Sequence, residues 1–411
     1  MSKADLSKGS SEKSYVIRKA TLEDLNAILD LAAGIFFQQS GEWYANRSWY
    51  RFVPGKFDPG EFFVGDADGK IVGLAAFRSF TLRMPGNEVP WVGVGSVCTA
   101  PECRGRGIMS GMLRAGIQDT DERGIPVSIL WGDRARYGHF GWEDAGRQIE
   151  LGVSRRHFHD PQWKDGDVEL GELVGEGKDT KWPPDFGERL GRIQQRYAGR
   201  LFRPMDEQIG LITSPRYRTV WVSRGDHEAY LVIEAGEKPK RLLEVCGDPE
   251  LLAELLGYLM RGSSEGLSLI ASPEPSPAEQ MMIDNADYVK IGATGKARIH
   301  DLAAVLACYE PWWAKQRRFG SGSVVLAMQD ETGVELQTAA IGWTPQQVKV
   351  RRLKPGERPE NAYVIAADRR GLTRLIFGPL PPGLALSHVP EMWRVAEVFP
   401  VPLYVPPLER V

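Results

Sequence analysis

Cysteine is scarce: Cys98, Cys103, Cys246 and Cys308 are the only thiols among 411 residues, with no CxxC pair and no histidine at zinc spacing. Such usage argues against a disulfide framework or a structural zinc and leaves reduced, buried or idle thiols as the expectation. Long apolar runs are missing too. No stretch approaches the roughly 18 residues that span a bilayer, and Met1 to Ser14 is polar, without the apolar core of a signal peptide, so a short disordered lead-in is expected there. A dominant charge is also absent. Lys plus Arg number 51 and Asp plus Glu 54, for a net charge of −3, which supplies no field to gather a phosphate backbone or an anionic membrane. Nucleic-acid and membrane partners are therefore disfavoured. His157 and His159 form an HxH pair with no third ligand near them in sequence, so no metal site is expected.

What is present is a long chain of ordinary globular composition, too long for one core, and two or three domains follow. After a strand at Tyr15 to Arg18, Thr21 with Asp24 reads as a helix start, and Leu22, Leu25, Ile28, Leu29, Ala32 and Phe36 recur at helical spacing. Gly60 to Gly65 and Lys70 to Phe80 read as a hairpin across Asp68-Gly69, and Val89 to Thr99 as a third strand after Pro85-Gly86-Asn87. A helix from about Gly105 to Arg123 and a buried strand, Val127 to Trp131, complete the unit.

The order recurs in the middle of the chain: strands at Tyr217 to Ser223, Glu228 to Glu234 and Arg241 to Cys246, a helix from Pro249 to Met260, and a strand at Leu267 to Ala271. Its strand-to-helix junction is Cys246-Gly247-Asp248-Pro249, where Asp248 caps the helix and would repel a phosphate. This predicts a structural copy without a cofactor site. Beyond Ser272 to Ser276 comes a third pattern: a helix at Ala303 to Tyr309, a hairpin of Ser323 to Gln329 with Val334 to Trp343, a strand at Val348 to Leu353, and a helical or mixed segment at Ala362 to Phe377. The basic run Lys349 to Lys354 is expected to be a solvated strand edge. The boundaries read from sequence are 1–152, 153–292 and 293–411, each unit α+β.

Chemistry concentrates at Val97-Cys98-Thr99-Ala100-Pro101-Glu102-Cys103-Arg104-Gly105-Arg106-Gly107-Ile108-Met109, a strand that feeds a glycine-rich turn at a helix start. Glycines let backbone amides approach a diphosphate, the helix end adds partial positive charge, and Arg104 and Arg106 add full charges. A Walker A loop needs GxxxxGK[ST], which is absent, and a Rossmann fingerprint needs Gly or Ala where Ser110 stands. R-x-x-G-x-G/A is the acyl-CoA signature of the GNAT superfamily of N-acetyltransferases; the run from Arg104 to Ile108 resembles it, with Met109 in place of the final small residue. An arginine-rich surface turn is the alternative.

A second motif, Tyr137-Gly138-His139-Phe140-Gly141-Trp142, follows the next strand. Together the two stretches resemble the enhanced intracellular survival (Eis) family of acetyltransferases, whose R-x-R-G-[LI]-[LM] turn precedes a Y-G-x-F-G-[FWY] loop. The resemblance implies tandem acetyltransferase-like domains, the second degenerate, followed by a sterol-carrier-protein-like α+β domain. It further implies an acetyl-CoA-dependent N-acetyltransferase that is cytoplasmic and hexameric. Tyr137 matches the family's proton donor, and the base is the chain's terminal carboxylate, here Val411. Val97, Cys98 and Thr99 would pair with the pantetheine amides; Gly105, Arg106, Gly107, Ile108, Met109 and Ser110 would hold the diphosphate; Gly132 and Asp133 would touch the cofactor.

Phe399, Val401, Leu403, Tyr404, Val405 and Leu408 make the tail too apolar for a solvated end. Phe36, Phe37, Glu42, Trp43 and Tyr44 are candidates for an aromatic and acidic wall around a cationic amine, or for plain helix packing. The rival readings are a non-catalytic acyl-CoA sensor and a lipid carrier acting through the C-terminal unit. The acceptor itself, whether aminoglycoside, polyamine, peptide lysine or small amine, is open.

Overall fold

The computed structural model describes residues 15–48, 51–52, 56–84, 87–164, 166–181, 183–194, 205–236, 241–261, 265–316, 320–360 and 362–410. The expected lead-in at 1–14, Pro85 and Gly86 of the expected turn, and Val411 lie outside them.

The first unit runs β1 (Val16–Lys19), α1 (Leu25–Phe36), α2 (Gly41–Arg47), β2 (Phe62–Ala67), β3 (Lys70–Met84), β4 (Asn87–Thr99), α3 (Ile108–Glu122), β5 (Val127–Leu130), α4 (Arg134–Gly138) and β6 (Glu143–Ala145). Thr21 and Asp24 form a capping box ahead of α1. Phe62 and Val64 of β2 pack under α1 with Ile28 and Ala32, while Phe63 packs under α3 with Met112 and Leu113. That alternation follows from the period of two in a strand covered on both faces. Helix α3 lies close to the sheet because the strands beneath it carry glycine: a Cβ on Gly65 would stand 2.5 Å from Ile108 Cγ2, and one on Gly73 would stand 2.7 Å away.

The second unit comprises β7 (Gln148–Val153), β8 (Glu169–Val174), α5 (Phe186–Ile193), α6 (Met205–Ile212), β9 (Tyr217–Arg224), β10 (His227–Glu234), β11 (Arg241–Gly247), α7 (Pro249–Leu259), β12 (Leu267–Ala271), α8 (Pro277–Asp284) and β13 (Tyr288–Gly292). The third comprises β14 (Gly295–Ile299), α9 (Leu302–Ala307), α10 (Glu310–Lys315), β15 (Gly322–Gln329), β16 (Glu335–Trp343), β17 (Val348–Leu353), β18 (Tyr363–Asp368), α11 (Arg369–Phe377) and α12 (Pro382–Ala385). The mixed segment at Ala362 to Phe377 resolves into a strand and a helix, divided where Asp368 accepts the Gly371 amide as an N-cap.

The two large sheets have the same order. One reads β1-β2-β3-β4-β5-β14-β6 and the other β8-β9-β10-β11-β12-β7-β13. Strand β7, which follows β6 of the first sheet directly in the chain, pairs with β12 and β13, and β14, which follows β13 of the second sheet directly, pairs with β5 and β6. Each sheet thus receives its sixth strand from the chain segment beside the other, at the two positions read from sequence as boundaries.

The small sheet, β17-β16-β15-β18, packs with α9 and α11 against the first sheet on the face opposite α3: Trp91, Val127, Ile129, Ala297 and Ile299 share a core with Val324, Leu326, Ile341, Leu372 and Phe377. The tail joins this core through Phe399, Val401, Leu403 and Val405, then places Leu408 in the core of the second unit beside Trp221 and Tyr230. Strand β17 carries ion pairs from Lys349 to Glu310 and from Arg352 to Asp301.

Candidate active site

Strands β4 and β5 pair in parallel from Trp91/Val127 to Val94/Leu130, and there the ladder stops while β4 runs on to Thr99. Past Val94, β4 keeps β3 on one side and, among the described residues, has no strand on the other. A bulge marks the departure. Leu74 faces Cys98 but Ala76 faces Gly95, so Ser96 and Val97 both stand opposite Ala75, with Ser96 at a φ of 51°. Such a bulge twists the strand and turns its main-chain groups outward. Val97, Cys98 and Thr99 form this open edge.

The strand ends where the Ala100 amide donates to Val72 O, and a short turn, Pro101–Cys103, leads to α3. The helix begins at Ile108, not Gly105, because Gly105 and Gly107 have φ of 77° and 81°, a left-handed region that only glycine enters freely. Gly107 is the N-cap, and the first turn of α3 contains no acidic side chain. Gly105 and Gly107 are exposed, as is Arg104, while Arg106, Met109 and Ser110 are half-buried and Ile108 is buried. Tyr15 Oη donates to Arg106 O at 2.8 Å and pins the turn. A fifteen-residue helix with open amides at its start is an anion cradle. The matching junction in the second unit is closed: the Asp248 carboxylate accepts the amides of Glu250 and Leu251.

Tyr137 is buried at 8% exposure. Its ring lies against Gly132, where a Cβ would come within 2.5 Å of Cε2, and it meets Trp142 edge-on at 6.2 Å. Burial pushes its phenol above the ordinary range; Arg136 opposes, while Asp133 and the neighbouring Cys98 thiol add to the rise. The phenol and the open edge of β4 therefore share one place. Cys98 itself is inert, its thiol pushed by burial up to about 12. Asp133 is exposed and caps α4 by accepting the Arg136 amide.

The glycines of the second motif make room for arginines. A Cβ on Gly138 would meet the Arg370 guanidinium at 3.3 Å, and one on Gly141 would meet Arg298 at 2.5 Å; Arg298 also donates to Phe140 O. Glu143, wholly buried, binds Arg134 of α4 at 2.5 and 2.8 Å and Arg370 and Arg374 of α11 at 2.7 and 2.8 Å. Burial acts to raise its pKa, but Arg134, the Asp144 amide and the charge of Arg370 outweigh it and hold the carboxyl low. The third unit thus grips the loop that carries Tyr137. A second link runs from Ser128 through His300 to Asp121, at 2.8 and 2.6 Å; Ser128 is wholly buried in β5, so this chain is structural.

The tail approaches the same end of the sheet. Arg410 lies over the Trp131 ring at 5.7 Å and donates to Gln148 Oε1 at 2.6 Å; Val411, the expected base, lies outside the described residues. Of the aromatic wall, Phe37 stacks on Tyr44 at 5.5 Å and meets Trp43 at a tilt at 5.3 Å, whereas Phe36 and Glu42 are exposed. His157 bonds Asp287 at 2.9 Å. Sequence reading missed the bulge, Glu143 and Arg410. Of these only the bulge had a signal, glycine at Gly93 and Gly95 inside a strand.

Comparison with known proteins agrees with this geometry. Residues 16–145 match the family model described as an acetyltransferase (GNAT) domain, so the chain carries a GNAT acetyltransferase domain. It is, further, a homologue of the N-acetyltransferase Eis of Mycobacterium tuberculosis, 30% identical over 195 residues, which are 45% of this chain and 46% of that protein. The match therefore spans about half the length of these curated relatives. In fold the chain is similar to Eis1 from Mycobacterium abscessus, with a TM-score of 0.61 at 16% identity over 95% of this chain and 99% of that one. It is also similar to a GCN5-related N-acetyltransferase from Anabaena variabilis, with a TM-score of 0.65 at 17% identity over 94% and 98%. No helix among the described residues is long and apolar enough to cross a membrane.

Proposed function

We propose that the chain transfers the acetyl group of acetyl-CoA to an amine. The observation that carries this reading is the buried Tyr137 phenol beside Cys98, where β4 parts from β5. The open edge at Val97 to Thr99 offers pantetheine amides the strand partner that β5 no longer provides. The amides from Gly105 to Ser110 receive the diphosphate, and Gly132 and Asp133 flank the cofactor. The neutral amine attacks the thioester carbon, a C–N bond forms, the C–S bond breaks, and the departing sulfur takes the Tyr137 proton. The surplus amine proton leaves to a base, for which the terminal carboxylate of Val411 is the candidate. Because burial raises the phenol, it stays protonated between turnovers.

The same reading makes the second unit a degenerate acetyltransferase-like domain and the third a sterol-carrier-protein-like domain, in a cytoplasmic homo-hexamer. An amine panel with thiol detection, paired with calorimetry, tests it. One acetyl-CoA per chain and thiol release only with amine present are expected, and Tyr137→Phe should lower kcat by about 10²-fold or more. Absence of heat with acetyl-CoA, or thiol release indifferent to amine, overturns the proposal.

A further inference from the structure

The segment from Arg134 to Glu143 that carries Tyr137 is held at its two ends by different means. At the start, Arg134 binds Glu143, and the Asp133 carboxylate accepts the Arg136 amide. Beyond Tyr137 the hold comes from β14. Arg298 Nη1 donates to Phe140 O at 2.9 Å, the Phe140 amide donates to Tyr137 O at 3.0 Å, and the Trp142 amide reaches the same carbonyl at 3.4 Å. One side chain of the third unit thus acts, through the Phe140 peptide, on the residue that bears the phenol. Gly141 makes the contact possible: its φ is 87°, and a Cβ there would stand 2.5 Å from Arg298 Nη1 and 3.0 Å from Arg369 Cδ.

Packing alone does not call for this arginine. Arg298 is half-buried on β14, which lies between β5 and β6, and its Nε is buried without a hydrogen-bond partner among the described residues. Burial, joined by the charge of Arg369, pushes its guanidinium down to about 10 against the pull of Asp121, and Asp121 is itself bonded to His300. A cation held on such terms contributes little stability, and an apolar side chain of similar volume is often tolerated as well or better. What an apolar chain lacks is a directed donor for Phe140 O. Tyr137 depends on such a donor because α4 is only five residues long, too short to hold its own shape, while proton transfer tolerates little displacement of the donor.

We propose that Arg298 is a positioning residue for acetyl transfer: by donating to Phe140 O it fixes the turn that aims the Tyr137 phenol, so that the third unit takes part in proton delivery in the first. This role rests on the reading of Tyr137 as proton donor. The test uses the full chain with acetyl-CoA and, as acceptors, a polyamine, an aminoglycoside, a lysine peptide and a small alkylamine, with kcat and KM read by thiol release. Arg298→Met should lower kcat about 10- to 100-fold while KM for acetyl-CoA and its affinity by calorimetry change little. Arg298→Lys should recover part of the loss, since an ammonium can donate to the same carbonyl. Gly141→Ala attacks the contact from the other side by displacing the guanidinium, and it decides the matter should Arg298→Met fail to fold. Each change is then crossed with Tyr137→Phe. In that background neither should lower kcat further, because the group being aimed is gone. A kcat unmoved by these changes, or an equal fold-loss with and without the Tyr137 hydroxyl, overturns the positioning role and leaves acetyl transfer intact. A kcat undiminished in Tyr137→Phe itself, or no thiol release with any amine, sinks the underlying reading instead.

Discussion

Gly132→Ala isolates the placement of the Tyr137 phenol. The added Cβ would stand 2.5 Å from Cε2 and 3.0 Å from Cδ2 of the ring, whereas carbon–carbon contact is about 3.5–4.0 Å. The ring must shift by roughly 1 Å. Helix α4 cannot follow as a body, because Arg134 is held by Glu143 and the Arg136 amide by Asp133, so the displacement falls on the phenol. A misplacement of this size costs up to about 10²-fold in rate, and the crowding itself costs about 1–3 kcal/mol of stability. The expected outcome is a kcat for acetyl transfer about 10- to 100-fold lower, with a smaller change in acetyl-CoA affinity by calorimetry. The decisive comparison is the double variant with Tyr137→Phe. Once the proton donor is gone its position no longer matters, so the double variant should match Tyr137→Phe alone rather than show the product of the two losses. Multiplicative losses, or a kcat unmoved by Gly132→Ala, would refute the assignment of both residues.

Gly107→Ala forces a side chain into a φ of 81° at the N-cap of α3, at a cost of about 1–2 kcal/mol; calorimetry should show acetyl-CoA binding about tenfold weaker with kcat at saturation less affected. Glu143→Ala leaves three guanidinium groups around an empty position, and since all three retain access to water a loss of about 2–4 kcal/mol is expected in denaturant melts. Because the folded-state pKa of Glu143 is lowered, its stabilisation is present above the ordinary carboxylate pKa and fades as pH falls through the lower folded value. Wild type should therefore lose stability on acidification more steeply than Glu143→Gln. Asp248→Ala removes the cap of α7 and should cost about 1 kcal/mol while the stoichiometry stays at one acetyl-CoA per chain; a second equivalent would contradict the view of that junction as non-binding.

Much of the architecture was legible because the strands of both large sheets alternate under helices and the turns carry their own punctuation. Arg241–Gly247 and Leu267–Ala271 fall within a residue of their expected places. Boundaries slipped where dihedrals rather than residue types decide, as at Gly105 and Gly107, whose positive φ delays α3 to Ile108. The exchange of β7 and β14 was not legible at all. Neither Glu143 to Val153 nor Tyr288 to Ile299 was assigned strands from sequence; each proves to be two strands about a short turn, and nothing local says that the halves enter different sheets. Site residues followed the same division. Tyr137 and the glycine turn sit in contiguous motifs, whereas the contacts of Glu143 with Arg370 and of Arg410 with Gln148 join positions more than 220 residues apart.

The reciprocal placement of Gln148–Val153 and Gly295–Ile299 has a consequence for any attempt to dissect the molecule. A fragment stopped after Arg147 would present the naked flank of Val127–Leu130 to solvent, and a fragment begun at Glu169 would miss the ribbon on which Leu267–Ala271 rests. Each large sheet is closed by backbone delivered from the stretch of chain next to its sibling, so neither could be shed by simple excision.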